Sequence, residues 1–168
     1  TDVKYFQGAD AYGSSIRAAV RLPILRKDSM LDPYQIIEAK AMGADAILVI
    51  LAMVDDGLAA ELTACAQERG LSVLAEVQNA AELERTLKRD TQLMGINNRN
   101  LHTFETTLDT TLELLGDIGG DKTVITESGI FTPADIQLMN EHDVFGFLIG
   151  ESLMRQPDPG TALASLIT

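Results

Sequence analysis

Six short apolar runs recur along the chain, separated by longer segments in which apolar residues return with helical spacing. The runs are Leu22–Leu25, Ala46–Leu51, Leu71–Ala75, Leu93–Ile96, Lys122–Thr126 and Phe145–Ile149. They are continuous rather than alternating, which indicates strands buried on both faces. The segments between them carry helix signals, since Asp32-Pro33, Asp55-Asp56 and Thr132-Pro133 are typical starts. Gly43 and Gly70 are typical ends. Strand–helix alternation of this kind predicts parallel βαβ units.

The spacing of the runs favours one architecture over another. Strand ends fall near residues 27, 51, 76, 97, 127 and 150, a period of about 25 residues, and (β/α)₈ barrels run at about 30 residues per unit. A doubly wound open sheet has similar spacing and remains an alternative. We predict an α/β fold, a single parallel TIM-type (β/α)-barrel domain over residues 1–168.

The barrel is expected to be incomplete, with about six of its eight strands present. One period before Lys27, a strand end falls near Thr1–Asp2, so the first βα unit and nearly all of the second strand are expected to be missing. The open edges would then have unpaired backbone groups and apolar inner faces. We expect such a chain to self-associate or to exchange strands.

Composition excludes several classes of partner. The net charge is −12, and no basic face is visible that would neutralise the phosphates of a nucleic acid. No apolar run reaches the roughly 18–20 residues that span a membrane. Cys65 is the single cysteine, so no intramolecular disulfide can form. These features fit a cytoplasmic protein.

Polar residues follow the predicted strands where the chemistry of such barrels is placed. Lys27 follows the first run, Glu76 the third and Asn97 the fourth. A lysine and a carboxylate in one cleft of low dielectric constant can exchange protons with a substrate, because burial and mutual charge tune both pKa values. Each residue also has a structural interpretation: Lys27 as a solvated loop residue, Glu76 as the partner of a neighbouring helix, and Asn97 as a turn former.

Two turns follow the last two runs. Gly129 lies in Glu127-Ser128-Gly129, and Gly150 in Gly150-Glu151-Ser152. Glycine lets the backbone approach an anion closely, and a short helix after Gly150 would direct N–H groups at a phosphate. The alternative is that both glycines only make tight turns.

These strings together resemble the indole-3-glycerol-phosphate synthase family of tryptophan biosynthesis. The matching strings, in chain order, are Lys4–Gly8, Leu25–Asp28, Asp32–Gln35, Gly43–Ala46, Glu76-Val77, Gly95–Leu101, Glu127–Ile130 and Ile149–Met154. The resemblance implies a lyase, a carboxy-lyase, that closes the ring of 1-(2-carboxyphenylamino)-1-deoxyribulose 5-phosphate. The products are indole-3-glycerol phosphate, CO₂ and water. It implies a small anionic phosphorylated substrate and neither a metal nor an organic cofactor.

Roles for individual residues come from the same resemblance. Lys27 matches the general acid that protonates the substrate carbonyl during ring closure. Glu76 matches a carboxylate that transfers protons in the later dehydration, and Asn97 a residue that orients the substrate. Glu127 and Ser128 match positions in the lower part of the pocket, near the phosphate.

The remaining matches concern substrate binding. Phe6 matches an apolar wall for the aromatic ring, and Arg99 a substrate-binding position. Gly129, Gly150 and Glu151 match the turns that hold the phosphate.

The sequence departs from the family in two ways. Ser29 stands where the string normally has an aromatic residue, which should weaken stacking on the anthranilate ring. The family's Glu-x-Lys motif and Ser-Pro-Ser turn are not found, so we expect the 168 residues alone to be inactive. The alternatives are a catalytically inactive barrel fragment, or another phosphate-binding barrel such as phosphoribosylanthranilate isomerase or a pentose-phosphate epimerase.

Overall fold

A computed structural model of the protein describes residues 9–100 and 103–167. In these ranges six parallel strands form one curled sheet, half of a barrel, in the order in which they occur in the chain. The strands are β1 (Leu25–Arg26), β2 (Ala46–Ile50), β3 (Ser72–Val77), β4 (Leu93–Asn97), β5 (Thr123–Glu127) and β6 (Gly146–Leu148). A doubly wound sheet reverses its strand order at a switch point. No reversal occurs among these six strands, so the barrel-type prediction is confirmed.

Helices alternate with the strands. They are α1 (Asp10–Ala19), α2 (Pro33–Ala41), α3 (Asp56–Glu68), α4 (Ala80–Leu87), α5 (Asp109–Leu115), α6 (Pro133–Asn140), α7 (Glu151–Met154) and α8 (Pro159–Ile167). In the described part of the chain, none of them combines the length and apolar character that a membrane crossing requires.

The predicted helix starts are confirmed by their capping bonds. The Asp32 carboxylate accepts from the backbone N–H of Tyr34 at 2.8 Å, and Asp55 accepts from Leu58 at 2.8 Å. Thr132 caps α6 in a reciprocal box with Asp135. Each cap satisfies an N–H group that has no partner within the helix, a contribution of about 1 kcal/mol.

Three of the predicted strands are shorter in the structure, and β2 differs only in ending at Ile50 rather than Leu51. The first begins at Leu25 rather than Leu22, and Leu22 is exposed. Pro23 explains the difference, because proline has no N–H to donate to a strand ladder. The last strand ends at Leu148, and Phe145 before it is exposed.

The core lies between the strands and the inward faces of the helices. Its fully buried large side chains include Ile36 of α2, Leu62 of α3, Leu83 of α4, Ile47 of β2 and Met94 of β4. Burial of each such side chain stabilises the fold by about 1.5–3 kcal/mol. This packing fixes the strands rigidly beneath the edge at which the polar residues lie.

The strand register aligns the predicted site residues along that edge. Ile50 pairs with Glu76, and Glu76 with Gly95. Asn97 pairs with Glu127. Because all strands are parallel, their carboxyl ends meet at the same end of the sheet.

Candidate active site

Two buried carboxylates share one lysine at the carboxyl end of the sheet. The Lys27 Nζ atom lies 3.6 Å from Oε2 of Glu76 and 3.8 Å from Oε2 of Glu127. Both glutamates are 1% exposed, whereas 47% of the Lys27 side chain is exposed. The cation therefore lies at the mouth of the site and the two acids at its floor.

Burial changes the acidity of Glu127. Loss of hydration and, second, the negative charge of Glu76 raise the pKa of this carboxyl to about 8, even though the Lys27 cation opposes both effects. Neither Glu127 oxygen has a hydrogen-bond partner among the described residues. The raised pKa favours the protonated form of Glu127, whose Oε2 lies 3.8 Å from the lysine nitrogen.

Gly95 makes the space that Glu127 occupies. A Cβ atom at position 95 would fall well inside contact distance of Oε1 of Glu127 and 3.4 Å from Cδ1 of Leu74. The sequence prediction did not single out this glycine. Its place in the middle of a buried strand was the available signal, since glycine weakens a strand and often marks a close approach.

Asn97 joins the acids to the next turn. Its Nδ2 donates to Oε1 of Glu76 at 2.8 Å, and its Oδ1 accepts from the Ser128 hydroxyl at 3.0 Å. The same oxygen accepts from the backbone N–H of Arg99 at 3.0 Å. Asn97 is therefore both a turn former and a contact of the predicted catalytic acid, and it holds one Glu76 oxygen in place.

A buried arginine fixes the segment that carries Lys27. Arg26 is 6% exposed and pairs with Oε2 of Glu38 at 2.6 Å. It also donates to the carbonyl of Gln35 at 3.1 Å, and the Gln35 amide donates to the carbonyl of Ser29 at 3.0 Å. These bonds attach the loop after β1 to helix α2, so Lys27 projects from an anchored backbone.

The turn after β5 has two successive residues in the left-handed region. Ser128 has φ of 63° and Gly129 φ of 82°. A Cβ at position 129 would lie 3.1 Å from Leu108 and 3.2 Å from Thr106, so the turn also passes close to its neighbours. Gly129 is needed for both reasons.

The last turn carries charge. Gly150 precedes the four-residue helix α7, and the Glu151 carboxylate pairs with Arg99 and with Arg155. The hydrogen bond from Arg99 is the main cause that lowers the pKa of Glu151. The Ser152 hydroxyl donates to the Ile130 carbonyl at 3.2 Å and joins the last two turns.

The structure therefore brings together most of the predicted residues. Lys27, Glu76, Asn97, Glu127 and Ser128 form one connected group. Arg99, whose backbone N–H donates to Asn97, also pairs with Glu151 after β6. Phe6 lies outside the described residues.

A family model and a curated relative both match this chain, and both carry the same family description. A family model described as Indole-3-glycerol phosphate synthase matches residues 1–166. A curated relative of that name from Polynucleobacter asymbioticus is 56% identical over 166 residues, which cover 99% of this chain. The chain spans 62% of that relative's length.

Solved structures support the fold. The 3-hexulose-6-phosphate synthase of Salmonella typhimurium superposes with a TM-score of 0.77 at 12% identity, over 94% of this chain and 77% of its own. The KGPDC of Streptococcus mutans gives a TM-score of 0.70 at 12% identity, over 92% of this chain and 74% of its own. At such identities the likeness concerns architecture alone.

Proposed function

The chain belongs to the indole-3-glycerol phosphate synthase family, and we propose that its protein converts 1-(2-carboxyphenylamino)-1-deoxyribulose 5-phosphate into indole-3-glycerol phosphate. The reaction releases CO₂ and water, and we assign it no metal or organic cofactor. The observation that carries the proposal is the lysine between two buried acids, Lys27 with Glu76 and Glu127. The cytoplasm is the proposed location.

Ring closure needs an acid. The aromatic carbon that bears the carboxylate bonds to the carbonyl carbon of the ribulose chain, and the carbonyl oxygen gains an electron pair. A proton from the Lys27 ammonium, at the open mouth of the site, neutralises that oxygen as it forms a hydroxyl. The ring then loses CO₂, and the electron pair of the broken bond restores its aromaticity.

Glu127 can return the proton to Lys27. Burial raises its pKa to about 8, which favours the neutral carboxyl at pH 7, and its Oε2 lies 3.8 Å from the lysine nitrogen. A proton passed from Glu127 to the lysine amine restores the ammonium for the next step. The separation of the two atoms requires only a small movement to reach hydrogen-bond distance.

Dehydration needs an acid and a base together. The new hydroxyl leaves as water when it receives a proton, while a proton is removed elsewhere on the ring. Glu76 is the proposed carboxylate for this transfer, and Asn97 holds its other oxygen at 2.8 Å. A fixed carboxylate presents its lone pairs in one direction, which favours transfer to a positioned substrate.

The phosphate is proposed to bind the turns at Gly129 and Gly150. A Cβ at position 150 would meet no atom within 4 Å, so open space adjoins this turn. The bond between Ser152 and the Ile130 carbonyl holds the two turns at a fixed spacing. Arg99 balances the Glu151 charge, which would otherwise repel an anion.

The test uses the full-length protein and the fluorescence of the indole product. We expect turnover by the unsubstituted protein and a loss of about 100-fold or more in Lys27→Met, because the general acid is removed. Lys88→Met is the matched control, since Lys88 is 70% exposed and pairs only locally with Glu84. A folded full-length protein that makes no indole would end the proposal. Activity that survives Lys27→Met would favour a different phosphate-binding barrel.

A further inference from the structure

A buried polar cluster lies directly behind the two acids, and its centre is Asn98. Asn98 is 2% exposed, and its partners Thr111 and Thr126 are both 0% exposed. Three chain segments meet here: the residue after β4, the first turn of α5 and the strand position before Glu127. Buried polar groups are retained only when hydrogen bonds satisfy them, and these are well satisfied.

The Asn98 side chain contacts the turn that carries Glu127. Its Nδ2 donates to the carbonyl of Glu127 and to the carbonyl of Ser128, each at 3.1 Å, and to the Thr126 hydroxyl at 2.7 Å. The backbone N–H of Asn98 donates to the same Glu127 carbonyl at 2.9 Å. Three successive residues at the turn are thus bonded to one amide.

The amide itself is fixed from the opposite side. Its Oδ1 accepts from the Thr111 backbone N–H at 3.1 Å and from the Thr111 hydroxyl at 2.8 Å. The hydroxyls of Thr111 and Thr126 lie 2.7 Å apart. These bonds determine the orientation of the Asn98 amide, with NH₂ toward the turn and oxygen toward helix α5.

The turn that Asn98 contacts has an unfavourable backbone conformation. Ser128 and Gly129 both have positive φ, and a non-glycine residue in that region persists only when its surroundings enforce it. The same turn directs the Glu127 carboxylate toward Glu76 of β3 and Lys27 of the loop after β1. A small rotation of the turn would move Glu127 away from both.

We propose that Asn98 is a positioning residue, which holds the turn after β5 so that Glu127 and Ser128 face Lys27 and Asn97. The inference rests on the proposed function for its catalytic part, and on the contacts above for its structural part. The amide touches no reacting atom. It acts through the two backbone carbonyls.

The experiment combines turnover with a titration that does not depend on turnover. In the full-length protein, kcat and KM are measured together with the ¹³C chemical shift of the Glu127 carboxyl across pH. Asn98→Leu, close in size but unable to donate, should lower kcat by about 100-fold, because misplacement of about 1 Å costs that much. The Glu127 pKa should fall from about 8 toward 4.5 as water reaches the carboxyl.

A matched variant separates this role from lost stability. Thr86 is also 0% exposed, and its hydroxyl donates to the Glu82 carbonyl in α4, so Thr86→Val removes a partly buried hydrogen bond away from the site. If Asn98→Leu and Thr86→Val show the same kcat, the same KM and the same Glu127 pKa, the inference is overturned. A fall in kcat with an unchanged Glu127 titration also overturns it.

Two further outcomes remain informative. If Asn98→Leu does not fold, Thr111→Val decides, because it removes the shorter of the two bonds from Thr111 that orient the Asn98 amide and also the contact with the Thr126 hydroxyl. A lowered Glu127 pKa in that variant supports the inference, and an unchanged one rejects it. If the unsubstituted protein makes no indole but the titration shifts as expected, the proposed function fails and the positioning role stands.

Discussion

The carboxyl of Glu127 approaches the Lys27 ammonium to 3.8 Å without a hydrogen bond to any described residue. A buried carboxyl with satisfied oxygens would be a structural group, held ionised by its donors. An unsatisfied one beside a cation is poised to exchange a proton. Perturbed groups of this kind cluster at functional sites.

Glu127 should make the protein less stable as the pH rises. Its folded-state pKa of about 8 exceeds the ordinary value of 4.5. Between these values the folded state holds a proton that the unfolded state releases. The stabilisation is fully present below pH 4.5 and is lost as the pH rises through about 8. Glu127→Gln, which cannot ionise, should therefore gain stability relative to the parent between about pH 5 and pH 9.

Urea denaturation at a series of pH values measures this difference. The control is Glu113→Gln at an exposed position of α5, which should reproduce the pH dependence of the parent. A constant difference between Glu127→Gln and the parent at all pH values would show that Glu127 does not hold its proton in the folded state.

Gly95→Ala should displace the Glu127 carboxylate. The added methyl group would occupy the place of Oε1, and the flexible end of the glutamate is the part that must move. We expect turnover to fall by about 10- to 100-fold as the acid leaves the lysine. Gly116→Ala is the control, because a Cβ there meets nothing within 4 Å. Equal turnover in the two variants would refute this account of Gly95.

Arg85→Lys should loosen the loop after β2. The Arg85 guanidinium donates to Asp56 at 2.8 Å, to the Leu51 carbonyl at 2.8 Å and to the Val54 carbonyl at 2.6 Å. Lysine cannot reproduce this planar fork, so the free energy of unfolding should fall by about 1–3 kcal/mol. Thermal and urea denaturation measure it. Arg69→Lys, which affects one bond to the Cys65 carbonyl and a largely exposed ion pair with Glu68, should cost less. A larger loss of stability in Arg69→Lys than in Arg85→Lys would contradict this role of Arg85.

Ser29→Phe should strengthen substrate binding. Ser29 is half-buried two residues after Lys27, at the position where the resemblance described above implies an aromatic residue. A stacked ring contributes about 0.5–1.5 kcal/mol beyond the area that it buries, or about two- to twelve-fold in KM. Ser29→Leu adds apolar area without a ring. If Ser29→Phe and Ser29→Leu lower KM equally, apolar area rather than ring stacking explains the effect. If neither variant lowers KM, the prediction is wrong.

The convergence of Lys27, Glu76 and Asn97 could be predicted because it depends on topology alone. Continuous apolar runs indicate buried parallel strands, and parallel strands bring their carboxyl ends to one edge. The helix starts were equally accessible, since an Asp or Thr at the N-cap, followed in two of the three cases by proline, is a local signal. Neither inference requires knowledge of which side chains touch.

The relation of Glu127 to Lys27 could not be predicted in this way. It depends on a missing side chain at Gly95 of the neighbouring strand and on the turn held by Asn98, both of which are contacts between distant parts of the chain. The resemblance assigned Glu127 to the lower pocket, without its raised pKa. The shorter β1 was missed because apolar character outweighed Pro23 in the pattern.

The space above Gly95 links two positions that are 32 residues apart in the sequence. No single substitution can enlarge residue 95 without displacing the acid, and a shorter acid at 127 would leave a void that a larger residue at 95 fills. The two positions should consequently change together or not at all during evolution. Among distant relatives, a residue other than glycine at 95 would mark a lineage that no longer uses a glutamate at 127.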